Sequence, residues 1–360
     1  MREYLHAWNV VFEGLPKPFW SLKQCYSNLE YAWKYASLED LRKAKLSDHI
    51  IKRVTEIRSN LDLKKEMEDM SKKGISILMH NEDNYPIYLR NLNNHLPPGV
   101  LYMKGNISKM KVAMENPIRI AIVGTRAMSG YGENITRKII QGLAHYNPII
   151  ISGMARGIDT IAHQEAMRCG LFTVAVLGYG LNQIPHYLRS FTEKIQECGV
   201  VVSEYPPNLI AQKYHFPLRN RIISGLSQVT TIIEAGERSG ALITAQYALD
   251  QGRDVIAVPG DITSLKSKGT NTLIKNGADL LTEPEDIIDL FKIARKKGLN
   301  PKNYAENELK IVNLLEERPH NLLELSSKSN LTTQEFTFAL TQLEIEGYIS
   351  KNHNGAYCMN

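Results

Sequence analysis

Three arginine-bearing segments concentrate the chemistry of this chain: Gly124-Thr125-Arg126, Ser152-Gly153-Met154-Ala155-Arg156-Gly157 and Phe216-Pro217-Leu218-Arg219-Asn220-Arg221. Glycines let backbone N–H groups approach a ligand closely. A following helix N-terminus adds partial positive charge, and a guanidinium grips phosphate with two parallel N–H bonds. Each segment therefore suits an anion, and together they describe a pocket for phosphates. In the second, Ser152 supplies a hydroxyl and Arg156 a bidentate fork. In the third, Pro217 biases the residue before it toward extended backbone, so Arg219, Asn220 and Arg221 are expected in a strand-to-helix loop. Phe216 is read either as core or as a platform on which a base stacks. Ser239-Gly240 starts another helix after a strand, and a fifth element combines Val258-Pro259-Gly260-Asp261 with Lys268-Gly269. Several cradles in a row suit a polynucleotide backbone better than one mononucleotide.

Catalytic chemistry has less support. Asp159 and His163, four apart on one helix, read as a cap or a local pair. Glu234 is the one carboxylate beside a cradle, and it is expected to order the adjacent loop. Neither a dinucleotide GxGxxG nor a GxxxxGK[ST] loop occurs. Cys25, Cys169, Cys198 and Cys358 show no CxxC spacing and no nearby histidine pair, so neither a metal nor a disulfide framework is expected.

These loops must be held by a scaffold, and 360 residues suffice for more than one core. From Pro117 onward, short apolar runs recur at Ile118–Val123, Ile149–Ile151, Thr173–Leu177, Val200–Val202, Val229–Ile233 and Val255–Val258, with helical segments between them. Continuously apolar strands separated by helices suit a parallel sheet covered on both faces. The fold expected is therefore α/β, a Rossmann-like doubly wound, mostly parallel sheet, with every cradle at its carboxyl edge. Residues 1–80 read as a small helical domain in which Ser37, followed by Glu39-Asp40, caps a helix. Residues 81–291 read as the sheet domain, with Pro97-Pro98-Gly99-Val100-Leu101-Tyr102 an extended connector, and 292–303 as a basic linker. Residues 304–360 read as three helices and a hairpin turning at Asn352-His353-Asn354-Gly355, which is winged-helix order.

The net charge is +5, but residues 117–291 carry 16 basic and 16 acidic side chains and residues 304–360 carry 4 and 8. A polyanion would therefore be held by particular arginines, not by a diffuse basic field. The N-terminus lacks an apolar signal core and no run of eighteen apolar residues occurs, so a cytoplasmic protein away from membranes is expected.

The order of motifs resembles the DNA-processing protein A (DprA/Smf) family. It is carried by Ile122-Val123-Gly124-Thr125-Arg126, by Ser152 to Asp159 with Ala162-His163, by Ser203-Glu204-Tyr205-Pro206-Pro207, and by Phe216 to Ser227. Glu234-Ala235, Ser239 to Ala245, Ala257-Val258-Pro259-Gly260 and Gly269-Thr270-Asn271 complete it. The resemblance covers about residues 85 to 285. It implies a protein of natural transformation that binds and protects incoming single-stranded DNA, helps load the RecA recombinase, forms a homodimer, and needs neither cofactor nor catalysis. It also implies that the helical domain is sterile-alpha-motif-like. Carried onto this chain, the implied phosphate contacts are Thr125, Arg126, Ser152, Gly153, Arg156, Gly157, Arg219, Asn220, Arg221, Ser239 and Gly240. Where the family pattern has an acidic loop, Gly180-Leu181-Asn182-Gln183-Ile184-Pro185-His186-Tyr187-Leu188-Arg189 carries no carboxylate. The rival reading is a nucleotide-hydrolysing enzyme resembling the phosphoribohydrolase-like Rossmann group. That group's PGG loop and following glutamate are not matched at Pro259-Gly260-Asp261.

Overall fold

The computed structural model describes residues 1–90, 92, 94–291, 306–345, 349–351 and 355–359. The expected linker at 292–303 and the hairpin turn at 352–354 lie outside them.

The chain opens with six helices: α1 (Arg2–Val11), α2 (Pro16–Cys25), α3 (Leu29–Tyr35), α4 (Leu38–Lys43), α5 (Asp48–Asn60) and α6 (Leu63–Lys72). Short polar caps set their boundaries. The Asn28 side chain accepts from Glu30 and Tyr31 N–H, and Ser37 forms a reciprocal box with Asp40 as the sequence indicated. Next come β1 (Ser76–Met79), α7 (Ile87–Arg90), β2 (Val100–Gly105), α8 (Ile107–Glu115), β3 (Arg119–Val123), α9 (Gly130–Leu143), β4 (Ile149–Ser152) and α10 (Ile158–Arg168). β5 (Thr173–Val176), α11 (Arg189–Cys198), β6 (Val200–Ser203), α12 (His215–Leu226), β7 (Val229–Ile232), α13 (Gly240–Asp250), β8 (Asp254–Ala257), α14 (Lys268–Lys275), β9 (Asp279–Leu280) and α15 (Glu285–Asp289) follow.

The nine strands form one sheet in the order β1-β2-β6-β5-β4-β3-β7-β8-β9. From β6 to β9 all pairings are parallel, and each of β3 to β7 is buried along its whole length. The expected extended connector at Pro97–Tyr102 enters the sheet: β2 pairs antiparallel with both β1 and β6. It forms an antiparallel margin on a parallel core, a common arrangement in large mixed sheets.

The two faces of the strands feed separate cores. Ile77, Val100, Tyr102, Ala175 and Val201 pack with Trp8, Phe12, Leu22 and Leu41 of the helical segment, whereas Leu78, Leu101, Val174, Val176 and Val202 pack with α12 and α13 residues. Asn9 fastens the helices to the sheet, because its Nδ2 donates to Glu204 O at 2.8 Å. Helical segment and sheet accordingly form one compact unit, Met1–Ile287, with a second at Ile288–Asn360.

The second unit contains α16 (Glu306–Glu317), α17 (Leu322–Lys328), α18 (Thr333–Ile345) and the antiparallel pair β10 (Ile349–Lys351) and β11 (Tyr357–Met359). Ile311, Leu315, Leu325, Phe336, Leu340 and Leu343 fill its core.

Candidate functional site

β3 is the first strand of the parallel core, with β4 on one side and β7 on the other, so chain order reverses direction across it. The crevice beyond the carboxyl ends of strands at such a switch point is where open α/β sheets take ligands. A cleft of about 610 Å³ lies there.

Its lining comes from four places. Gly124, Thr125 and Arg126 follow β3. Ala155 and Asp159 follow β4. Lys213, Phe216, Pro217, Arg219 and Asn220 belong to the start of α12. Ser239, Gly240 and Thr244 form the start of α13. Hydrogen bonds lace these loops together. Thr125 N–H donates to Glu234 O at 2.8 Å, and Ile158 N–H reaches Thr125 O at 3.4 Å. The Glu234 carboxylate accepts from Ser129 N–H at 2.8 Å and from Ser129 Oγ at 2.5 Å. Glu234 thus orders the first loop from a buried position, at 3 % exposure. Gly157 sits at φ +88°, and a Cβ there would stand 2.4 Å from Thr125 O. Only glycine lets the second loop back so closely onto the first.

Positive charge on the rim comes from Arg126 and Lys213, both exposed. The Arg126 guanidinium lies 5.6 Å from the Phe216 ring centroid, within cation–π range. Phe216 is partly exposed and meets Tyr179 edge-on at 6.4 Å. At the opposite wall, Ser239 caps α13 by accepting from Ala241 N–H. The first-turn amides of that helix carry the partial positive charge of a helix N-terminus, and nothing lies within 4 Å of where a Gly240 Cβ would be. Asn220 Nδ2 reaches Gly240 O at 3.4 Å, joining the walls.

Asp159 and Arg219 lie beneath the rim. Asp159 Oδ2 accepts from Gly153 and Ala155 N–H, at 3.2 and 3.3 Å. Burial pushes its carboxyl up to about 6, although Arg219 and the surrounding amides pull the other way. Burial lowers the Arg219 pKa, with Asp159 opposing.

The structure corrects the placement of several sequence-identified residues. Arg219, Asn220 and Arg221 lie inside α12 and not in a loop, because Pro217 occupies the first turn of a helix, where its missing N–H has no partner to lose. Arg219 is buried and donates through Nη1 to Gly153 O at 2.8 Å and to Val176 O, so its charge reaches the cleft from below. Arg221 does not line the cleft. Its Nη1 and Nη2 grip the Glu204 carboxylate at 2.7 and 2.6 Å, both side chains at 4 % exposure or less. Burial works against the Arg221 charge, but Glu204 outweighs it and holds the pKa above its ordinary value. Ser152 is buried with its Oγ donating to Ile122 O at 2.6 Å, which makes it a clip between β4 and β3. The Gly153 amide is used on Asp159, and buried Gly157 serves loop packing. Arg156 is exposed but outside the lining, and Lys268 pairs with Glu237 at 3.3 Å, also outside it. The cleft therefore unites Gly124, Thr125, Arg126, Phe216, Arg219, Asn220, Ser239 and Gly240. Sequence reasoning missed Lys213, whose signal was a lysine just ahead of the Phe216 segment. His163 is buried outside the cleft lining: its Nδ1 shares a 2.7 Å hydrogen bond with Thr173 Oγ1, and burial holds its pKa down to about 3.

A doubly wound sheet with a cation-rimmed cleft at its switch point defines a Rossmann-like protein receptive to anions. The chain belongs to the family described as DNA recombination-mediator protein A, whose model matches residues 76–292. It is 43 % identical over 194 residues to protein Smf of Escherichia coli strain K12, a match that takes in 53 % of this chain and only 50 % of that protein. The X-ray structure of DNA processing protein A from Streptococcus pneumoniae aligns with a TM-score of 0.67 at 31 % identity, covering 81 % of this chain and 99 % of that one. DNA processing protein A from Helicobacter pylori, whose structure concerns its single-stranded DNA binding mode, aligns with a TM-score of 0.53 at 28 % identity over 60 % of this chain and 94 % of that one. Among the described residues no helix is long and apolar enough to cross a membrane.

Proposed function

We propose that this protein binds single-stranded DNA in the switch-point cleft, protects strands entering the cytoplasm in natural transformation, and helps load the RecA recombinase on them, catalysing no reaction itself. The observation that carries the reading is the union, in one cleft, of Arg126 and Lys213 on the rim, helix-start amides at Gly240, and the part-exposed ring of Phe216. Phosphates take the cations and amides, while a base stacks on the ring, a combination suited to single strands and indifferent to sequence. The Helicobacter pylori relative supports the choice of ligand. Homodimerisation and the hand-over to RecA rest on family membership. Against the hydrolase alternative, both carboxylate oxygens of buried Glu234 are occupied by Ser129.

The test is a salt series on single-stranded oligonucleotides. Log affinity should fall linearly with log salt, and Arg126→Ala and Lys213→Ala should each weaken binding and flatten the slope by about 0.7, one phosphate's share. Unchanged slopes in both variants, or hydrolysis of nucleoside monophosphates abolished by Glu234→Gln, would defeat the proposal.

A further inference from the structure

The loop after β5 is not used by the cleft and carries the most exposed aromatic ring on this edge of the sheet. Tyr187 is 78 % exposed, and its neighbours His186 and Arg189 are exposed as well. From Gly180 to Arg189 the loop contains no carboxylate.

Its position is fixed at both ends. Gly180 N–H donates to Leu209 O and Asn182 N–H to Pro207 O, both at 2.9 Å, and Asn182 Nδ2 donates to Asn208 Oδ1 at 2.7 Å. These bonds seam the loop to the segment that carries Lys213 and leads into α12. Beyond them, Ile184, Leu188 and Phe191 pack against the core below, and a tight turn at His186–Leu188 holds Tyr187 outward between them. An exposed ring on an anchored turn loses little conformational freedom when it meets a planar partner.

The loop also sets out beside the cleft. Phe216 touches Tyr179 edge-on, and Tyr179 is the residue immediately before Gly180, where the loop begins. The cleft wall and the loop that carries Tyr187 are therefore continuous through Tyr179.

Resting on the reading of the cleft as a single-strand site, we propose that the strand continues past Phe216 onto this loop, a second base stacking on Tyr187 with Arg189 beside the phosphate that follows. The occupant is single-stranded nucleic acid because an exposed aromatic beside the exposed guanidinium of Arg189, continuous with a phosphate-receptive cleft, matches the alternation of base and phosphate.

The experiment uses the full chain and oligothymidylates graded from about 4 to about 16 nucleotides, the span of site sizes typical of single-strand binders. A 2-aminopurine probe is walked along the longest. Tyr187→Ala should weaken binding of the longer strands about tenfold, leave the shortest unchanged, and restore fluorescence at one probe position, whereas Tyr187→Phe should behave as the parent. Phe216→Ala should weaken every length and restore fluorescence at a different position. If Tyr187→Ala binds all lengths as the parent does while Phe216→Ala loses affinity, the extension is wrong and the cleft stands. If neither variant changes binding, the cleft reading falls with it. Loss in Tyr187→Phe equal to that in Tyr187→Ala overturns stacking as the contact.

Discussion

Arg221→Met should act on stability and leave DNA affinity alone. The substitution keeps most of the aliphatic stem and removes a guanidinium that donates to both Glu204 oxygens, to Leu96 O and to Leu218 O. Glu204, 2 % exposed, is left as a buried carboxylate with its partner gone. Breaking one side of such a pair costs about 3–5 kcal/mol. Urea titration followed by tryptophan fluorescence is the assay, because Trp8, Trp20 and Trp33 all lie in the unit Met1–Ile287. Arg221→Met with Glu204→Met should recover much of the loss, since a buried pair replaced by apolar groups is often neutral. A single variant within about 1 kcal/mol of the parent, with single-strand affinity reduced, would refute the assignment of Arg221 to the fold.

Two further outcomes are expected. A phosphate bound beside Asp159 raises that acid's pKa beyond about 6, so binding takes up a proton and affinity should climb as pH falls toward about 6, by no more than about tenfold per unit, and level off below it; Asp159→Asn should bind more tightly at neutral pH and lose this dependence, as read by anisotropy. Removing residues 304–360 should change single-strand affinity by less than tenfold, about 1.4 kcal/mol, because α18 presents Glu335, Glu344 and the exposed ring of Phe338 but no lysine or arginine; a larger loss would make that unit a DNA-binding element.

The doubly wound core was legible because its strands are continuous apolar runs buried on both faces, and its loops because glycine and a following helix mark each strand end. What escaped was pairing across distance. Nothing near Arg221 announces Glu204, 17 residues earlier. Pro217 was read as a mark of extended chain, whereas the first turn of a helix tolerates it equally. Ser152 and Gly153 have the residue types of a phosphate loop, yet Ile122 O and Asp159 claim their donors. Strand β2, preceded by Pro97 and Pro98, lacks the texture of the core strands and takes its place by antiparallel pairing with β6 on one side and β1 on the other.

The lacing of Thr125, Ser129, Glu234 and Ile158 has a kinetic consequence. None of the three loops can swing aside without breaking bonds that hold its neighbours, so these loops form no lid and add no slow opening step. Strand capture should then be a single bimolecular event, its observed rate rising in proportion to DNA concentration without a plateau.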